Sequence, residues 1–311
     1  MKKTIIILIV IILLAVAGFY IINLPSGEEV DTEEQTKTEE QKNNEQVQEE
    51  TGPKSVIGTS VEGRDINAYT YGTGDTHLLF VGGIHGGYSW NTALVAYELI
   101  DYLNANADTL ADNLKVTVIP VLNPDGLNEA VGATDKFTKA QVSTSEDVRA
   151  ASRFNGNTVD LNRNFDCDWQ SEGTWQTKTV SGGSAAFSEP EAQAIKNYIE
   201  SNDPEAVVVW YSSAGGVFAS NCHNGVLAET REILNVFAKA SGYKAYDEFN
   251  FYEITGDMTN WLAKIGTPSI SVLLTTHDDT EWSKNRAGIE ALFEYYGEET
   301  EETPTTETGT E

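Results

Sequence analysis

Residues 77–103 read HLLFVGGIHGGYSWNTALVAYELIDYL, and the period of the apolar residues changes along the stretch. Leu78 to Val81 is an unbroken apolar run, the pattern of a strand buried on both faces. From Asn91 to Leu103 the spacing turns helical, with Leu94, Tyr97, Leu99 and Leu103 among the apolar positions. Between the two lies GGIHGGYSWNT, residues 82–92, where His85 stands at the strand end between glycines. An imidazole placed there has the look of a metal ligand. A zinc site needs further donors close by, commonly a carboxylate. The position where that carboxylate is expected holds Ser89.

Working outward, the same alternation continues. Val56 to Tyr71 reads as a hairpin turning near Glu62-Gly63, and Val116 to Val121 as a strand stopped by Asn123-Pro-Asp-Gly126. Ser188-Glu189-Pro190-Glu191 reads as a helix start, with Ser188 as N-cap and Glu191 three residues on. Ala206 to Trp210 and Ser269 to Leu274 are further apolar strands, while Glu229–Ser241 and Asn285–Tyr296 are helical. No internal repeat is visible. Continuous apolar strands between helices predict an α/β domain, with helices on both faces of a largely buried sheet. Ligand sites in such folds lie beyond the strand ends.

The flanks of the 311-residue chain are different in kind. Lys2 and Lys3 precede an apolar run from Ile5 to Ile22, which as a helix would rise about 27 Å, close to the ~30 Å hydrocarbon core. Residues 1–23 therefore read as a membrane anchor with the basic end cytoplasmic and the rest of the chain outside. A cleaved signal peptide is the competing reading, because Ala15-Val16-Ala17 fits a cleavage site. Either reading exports the domain. Residues 24–52 are an acidic linker and 297–311 an acidic tail, both too poor in apolar residues to fold alone. That leaves residues 53–296 as the folded domain. The net charge of -28 exceeds what linker and tail supply, so the domain is itself acidic. Nucleic acid and anionic lipid are poor partners for it.

Two cysteines, Cys167 and Cys222, are present. In an exported chain an even, sparse count suggests one disulfide, closing a loop of about 55 residues worth roughly 4 kcal/mol in the chain-entropy model. Two separate buried thiols are the alternative.

Four segments together resemble the zinc carboxypeptidases, the carboxypeptidase A-like family. They are GGIHGGYSWNT at 82–92, VDLNRNFDCDW at 159–169, YSSAGGVFAS at 211–220 and ITGDMTNWLAKIGTPSISVLLTTH at 254–277. GTSVEGRDI at 58–66 looks like the entry to that domain, so the resemblance covers essentially all of 53–296. It implies a mixed sheet of the eight-stranded type, zinc held by two histidines and a glutamate, and removal of the C-terminal residue of peptides. It further implies a separate glutamate as general base, an Asn-Arg pair for the terminal carboxylate, an arginine for the oxyanion and a closing tyrosine.

Carried over residue by residue, the result is divided. His85 matches the first zinc histidine, but Ser89 stands at the ligand glutamate and Ser212 at the second histidine. Leu273 stands at the general base; a shift of one residue would put Leu274 there. Asn162 and Arg163 match the carboxylate pair, Arg153 the oxyanion arginine, Tyr252 the closing tyrosine and Thr259 the specificity position. A serine hydroxyl is a poor zinc donor. Losing even a group that merely supports a ligand costs roughly 10- to 100-fold in affinity. Leucine cannot carry a proton, a loss of roughly 10²–10⁴-fold. The resemblance therefore implies a pseudoenzyme that binds peptide C-termini or cell-wall stem peptides, with zinc weak or absent. The alternative is an active metallocarboxypeptidase with a nonstandard site. Asp166, Asp168, Cys222, His223 and His277 lie near the motifs and could rebuild a metal site. Cys222 is instead expected to pair with Cys167, and His223 and His277 to lie in surface loops. For Arg163 the competing role is an ion pair, for example with Asp160; for Tyr252, a place in the core.

Overall fold

The computed structural model describes residues 53–106, 108 and 110–297. The expected anchor and linker, and all but the first residue of the tail, lie outside them. Among the described residues no helix is long and apolar enough to cross a membrane.

The chain opens with a hairpin, β1 (Lys54–Thr59) and β2 (Asp65–Tyr71). It continues through β3 (Thr76–Val81), helix α1 (Trp90–Ala105), β4 (Leu114–Ile119), and helices α2 (Pro124–Val131) and α3 (Glu146–Ala151). A small hairpin, β5 (Glu172–Trp175) and β6 (Lys178–Ser181), precedes α4 (Pro190–Asn202). Then come β7 (Ala206–Ser212), β8 (Gly216–Ala219), α5 (Ala228–Ser241) and β9 (Ala245–Tyr246). Helix α6 (Met258–Ile265), β10 (Ser269–Leu274) and α7 (Trp282–Gly297) complete it.

Eight strands form one mixed sheet in the order β1-β2-β4-β3-β7-β10-β8-β9. Its centre, β4-β3-β7-β10, is parallel, and β2 and β8 add antiparallel partners on either side. Period-two alternation splits each central strand between two cores. Leu78, Phe80, Val208, Trp210, Ile270 and Val272 pack on one face against α1, α5 and α7. Leu79, Val81, Val207, Val209, Tyr211 and Leu273 pack on the other, with Ile195 of α4 and Trp261 of α6. The unbroken apolar runs of the sequence are strands covered on both sides.

Two local expectations are corrected. Helix α4 is capped by Glu189, not Ser188. Pro190 occupies the first helical position, where its missing N–H costs nothing. The Ser188 hydroxyl instead donates to Glu189 and accepts from Asn164 Nδ2. The loop after β10 is the second correction, because it folds back over the strand ends and carries His277 with it.

Candidate functional site

A cavity of about 300 Å³ opens beyond the C-terminal ends of β3, β7 and β10, where the parallel strands leave unpaired ends. It gathers His85, Arg153, Asn162, Arg163, Ser212, Tyr252, Thr259, Leu273 and His277 from six separate stretches of chain. The register of β7 and β10 decides between the two leucines. Leu273 lies opposite Tyr211 and faces the cavity, whereas Leu274 belongs to the opposite core.

One end of the cavity is cationic. Arg153 is buried against Asp160, which accepts from Nε at 2.9 Å and forms an ion pair with Nη2 at 2.8 Å. Its guanidinium also lies 4.7 Å from the ring centre of Trp175 and 5.6 Å from that of Tyr88. Burial alone would raise the Asp160 pKa, but the guanidiniums of Arg153 and Arg163 outweigh it and hold this carboxyl below its ordinary range.

Arg163 is not the ion-pair partner of Asp160 that the sequence allowed; Arg153 has that place. The Arg163 side chain is 2 % exposed. It donates from Nη1 to the carbonyl of Asn162 at 2.7 Å and from Nη2 to that of Thr174 at 2.9 Å, while Nε is buried without a partner. Among the described residues no carboxylate lies within ion-pair distance of it. Two glycines wrap this residue. A Cβ at Gly173 would stand 2.8 Å from Arg163 Cδ, and one at Gly256, where φ is +64°, would stand 2.2 Å from the Arg163 carbonyl oxygen.

Asn162 is more committed than its place in an Asn-Arg pair suggests. Its Nδ2 donates to Asp257 at 2.7 Å, and its Oδ1 accepts from the Tyr211 hydroxyl and the Met258 N–H. One N–H remains for a ligand. Thr259 is buried, with its hydroxyl tied to Asp257 and Ser271. Tyr252 is not a core aromatic: it is 38 % exposed at the cavity mouth, its ring 5.0 Å from Phe249.

The other end is different. His85 is buried, with both ring nitrogens unpartnered and Nε2 3.7 Å from Asp160. Burial, with Arg153 adding to it, pushes its pKa well below the ordinary histidine value. The Ser89 hydroxyl is also buried and unpartnered. Ser212 Oγ lies 2.8 Å from His277 Nδ1 and donates to Asn91 Oδ1 at 3.1 Å. His277 is thus a half-buried wall of the cavity, and not the surface-loop residue that the sequence led one to expect. Burial and then Arg153 lower its pKa. His223 is exposed and bonded to Asp168. Cys167 and Cys222 form a disulfide, with Cα atoms 6.1 Å apart.

A profile described as zinc carboxypeptidase matches residues 53–303. The chain belongs to the zinc carboxypeptidase family. Over 154 residues it is 30% identical to a zinc carboxypeptidase of Simulium vittatum, covering 47% of this chain and 48% of that one. Over 250 residues it is 25% identical to metallocarboxypeptidase A of Trichophyton rubrum, covering 71% and 57%. It thus spans about half the length of these relatives. Among solved structures, carboxypeptidase A of Helicoverpa armigera matches 78% of this chain and 67% of its own, with TM-score 0.57 and 20% identity. Murein-tripeptide amidase of Escherichia coli O157 matches 79% and 92%, with TM-score 0.53 and 19% identity. These two likenesses establish the fold.

Membership in a zinc carboxypeptidase family implies zinc, which needs three strong donors. The three positions offer one imidazole, His85, and two hydroxyls, Ser89 and Ser212, the second already bonded to Asn91 and His277. Among the described residues the His/Cys/Asp/Glu group compact enough to hold a metal is Cys167, Cys222 and His223, whose sulfurs are joined to each other. The donor set of the cavity does not fit the family's metal.

Sequence reasoning missed Trp175, Tyr211 and Asp257 as cavity residues, and weighed His277 only as a spare metal donor expected in a surface loop. For His277 a signal existed: it follows a buried strand by three residues, where α/β folds place ligand contacts.

Proposed function

We propose that this zinc carboxypeptidase-family domain captures the C-terminal carboxylate of a peptide and does not turn it over by the family's zinc route. The observation that carries this reading is Arg163. A guanidinium buried without a carboxylate partner is costly, and Arg163 lines a cavity that can admit an anion. A ligand carboxylate would supply the missing charge through paired N–H···O bonds. Arg153, already neutralised by Asp160, adds donors beside it, and Tyr252 stands where it can cover the bound end. The domain is exported and held at the membrane by residues 1–23, a placement that rests on sequence alone. Peptides outside the membrane, including cell-wall stem peptides, are then the accessible ligands. The fold shared with a murein-tripeptide amidase is compatible with them.

Calorimetry with a peptide free acid and its C-terminal amide tests the reading. The acid should bind and the amide should not, and Arg163→Ala should erase the difference. Equal binding of both would overturn it.

One observation favours a second reading. Both ring nitrogens of His85 are buried and unpartnered, as a ligand stripped of its metal would be. In that reading the chain is an active metallocarboxypeptidase with a nonstandard site. Elemental analysis after dialysis against trace zinc decides. Close to one zinc per chain, with hydrolysis lost in His85→Ala, selects the second reading; less than about a tenth selects the first.

A further inference from the structure

The hydrogen bonds around Ser212 have one consistent arrangement. Asn91 Nδ2 gives its two protons to the carbonyls of Thr276 at 2.8 Å and Asp279 at 2.9 Å. This fixes the amide, because the flipped form would set its oxygen against two carbonyl oxygens. Asn91 Oδ1 can therefore only accept, and the proton in its 3.1 Å contact with Ser212 is the serine's own. A hydroxyl has one proton. The 2.8 Å contact between Ser212 Oγ and His277 Nδ1 must then be filled from the histidine side, by Nδ1–H. In a neutral imidazole that leaves the lone pair on Nε2.

Nε2 has no hydrogen bond among the described residues and is not one of the buried unpartnered atoms, so it is open to the cavity that His277 lines. The groups whose charges act on the ring are Arg153, Asp278 and Arg149, and Tyr88 packs on it at 4.5 Å. Burial and then the arginines outweigh Asp278 and lower the pKa of the ring, favouring its neutral form.

We infer that the Asn91–Ser212 relay locks His277 as its Nδ1–H tautomer and makes Nε2 a hydrogen-bond acceptor in the carboxylate cavity. The site thereby selects carboxylates that carry an N–H donor, namely peptides and N-acyl amino acids, over the corresponding esters. The inference rests on the carboxylate-binding reading above and adds a second requirement to it. A depsipeptide, with an ester oxygen where the last amide N–H belongs, would set a lone pair against Nε2. Ser212 acts here as a positioning residue.

Two measurements test this on the intact chain. The first compares N-acetyl-alanyl-alanine with N-acetyl-alanyl-lactate, in both chiral series, by calorimetry. The amide should bind roughly three- to tenfold more tightly in the series that binds. His277→Phe should erase that preference while leaving the dependence on a free carboxylate intact. Equal binding of amide and ester, still lost in Arg163→Ala, would overturn the histidine's role and leave the carboxylate reading standing. Binding of neither, or binding indifferent to Arg163→Ala, would overturn both. The second is a long-range nitrogen–proton correlation of the ring of His277 in histidine-labelled protein. It should show the proton on Nδ1, and Ser212→Ala should release that preference. A proton on Nε2 in the unaltered chain would overturn the inference whatever the binding data show.

Discussion

The two ends of the cavity differ in how their side chains are tied to the fold. At the cationic end, Arg153 is paired with Asp160, Asn162 joins Asp257 to Tyr211 and the start of α6, and Arg163 sits against two backbone carbonyls. Each of these groups would leave buried partners unsatisfied if removed. At the other end, His85 and Ser89 have no hydrogen bond to lose, and Leu273 is one apolar residue among many. Groups that help to hold the structure keep their chemistry for structural reasons as well as functional ones. His85 and Ser89, at positions where the resemblance implies metal ligands, have no such second tie, whereas Ser212 is held by Asn91 and His277.

That contrast can be broken most severely from the metal end. Combining Ser89→Glu with Ser212→His supplies the missing carboxylate and imidazole. The variant should bind close to one zinc per chain, against less than about a tenth in the parent, measured by elemental analysis after dialysis. Next in size, Asp160→Ala leaves Arg153 buried and unpaired and should cost about 3–5 kcal/mol in denaturant unfolding. A loss below ~1 kcal/mol would mean that the cationic end is not built into the fold. Arg163→Ala should cost roughly 1.5–3 kcal/mol of peptide free-acid binding, read by calorimetry, with a much smaller effect on the amide.

The smallest effect is a pH slope. Burial drives the pKa of His77 down to about 4, and those of His85 and His277 also fall below the ordinary value. Unfolded histidines titrate near ~6.5 and so hold more protons than the folded ones below that pH. Stability should be unaffected by these groups above pH ~6.5 and should fall as the pH drops from there towards 4. His77→Gln should flatten that slope in thermal unfolding followed at several pH values. An unchanged slope would assign the acid sensitivity elsewhere.

The central sheet was legible because strands covered on both faces have no polar side. Leu78–Val81 and Ala206–Trp210 read as unbroken apolar runs, and Ser269–Leu274, after its first residue, as an apolar run broken only by Ser271. Hairpin β5–β6 was not legible: Trp175 and Val180 are its only buried residues, so its pattern is that of a polar loop. Strands β8 and β9 are too short to show a period. In the site, motif positions identified Arg153, Arg163, Thr259 and Leu273 as residues that do line the cavity. They also identified Asn162, which lines the cavity, but not its partners Tyr211 and Asp257, far away in sequence. Position along the chain likewise says nothing about a loop folding back, and so His277 was assigned to the surface.

The glycines packed on Arg163 have a consequence for the cost of recognition. Gly173 leaves just enough room for the side chain's methylenes, and Gly256 brings its backbone against the carbonyl of the same residue. An arginine on an open surface gives up around 2 kcal/mol of rotamer freedom when a ligand fixes it. Here that freedom is surrendered when the domain folds. An arriving carboxylate meets a fork already at rest, and more of the contact energy remains as affinity.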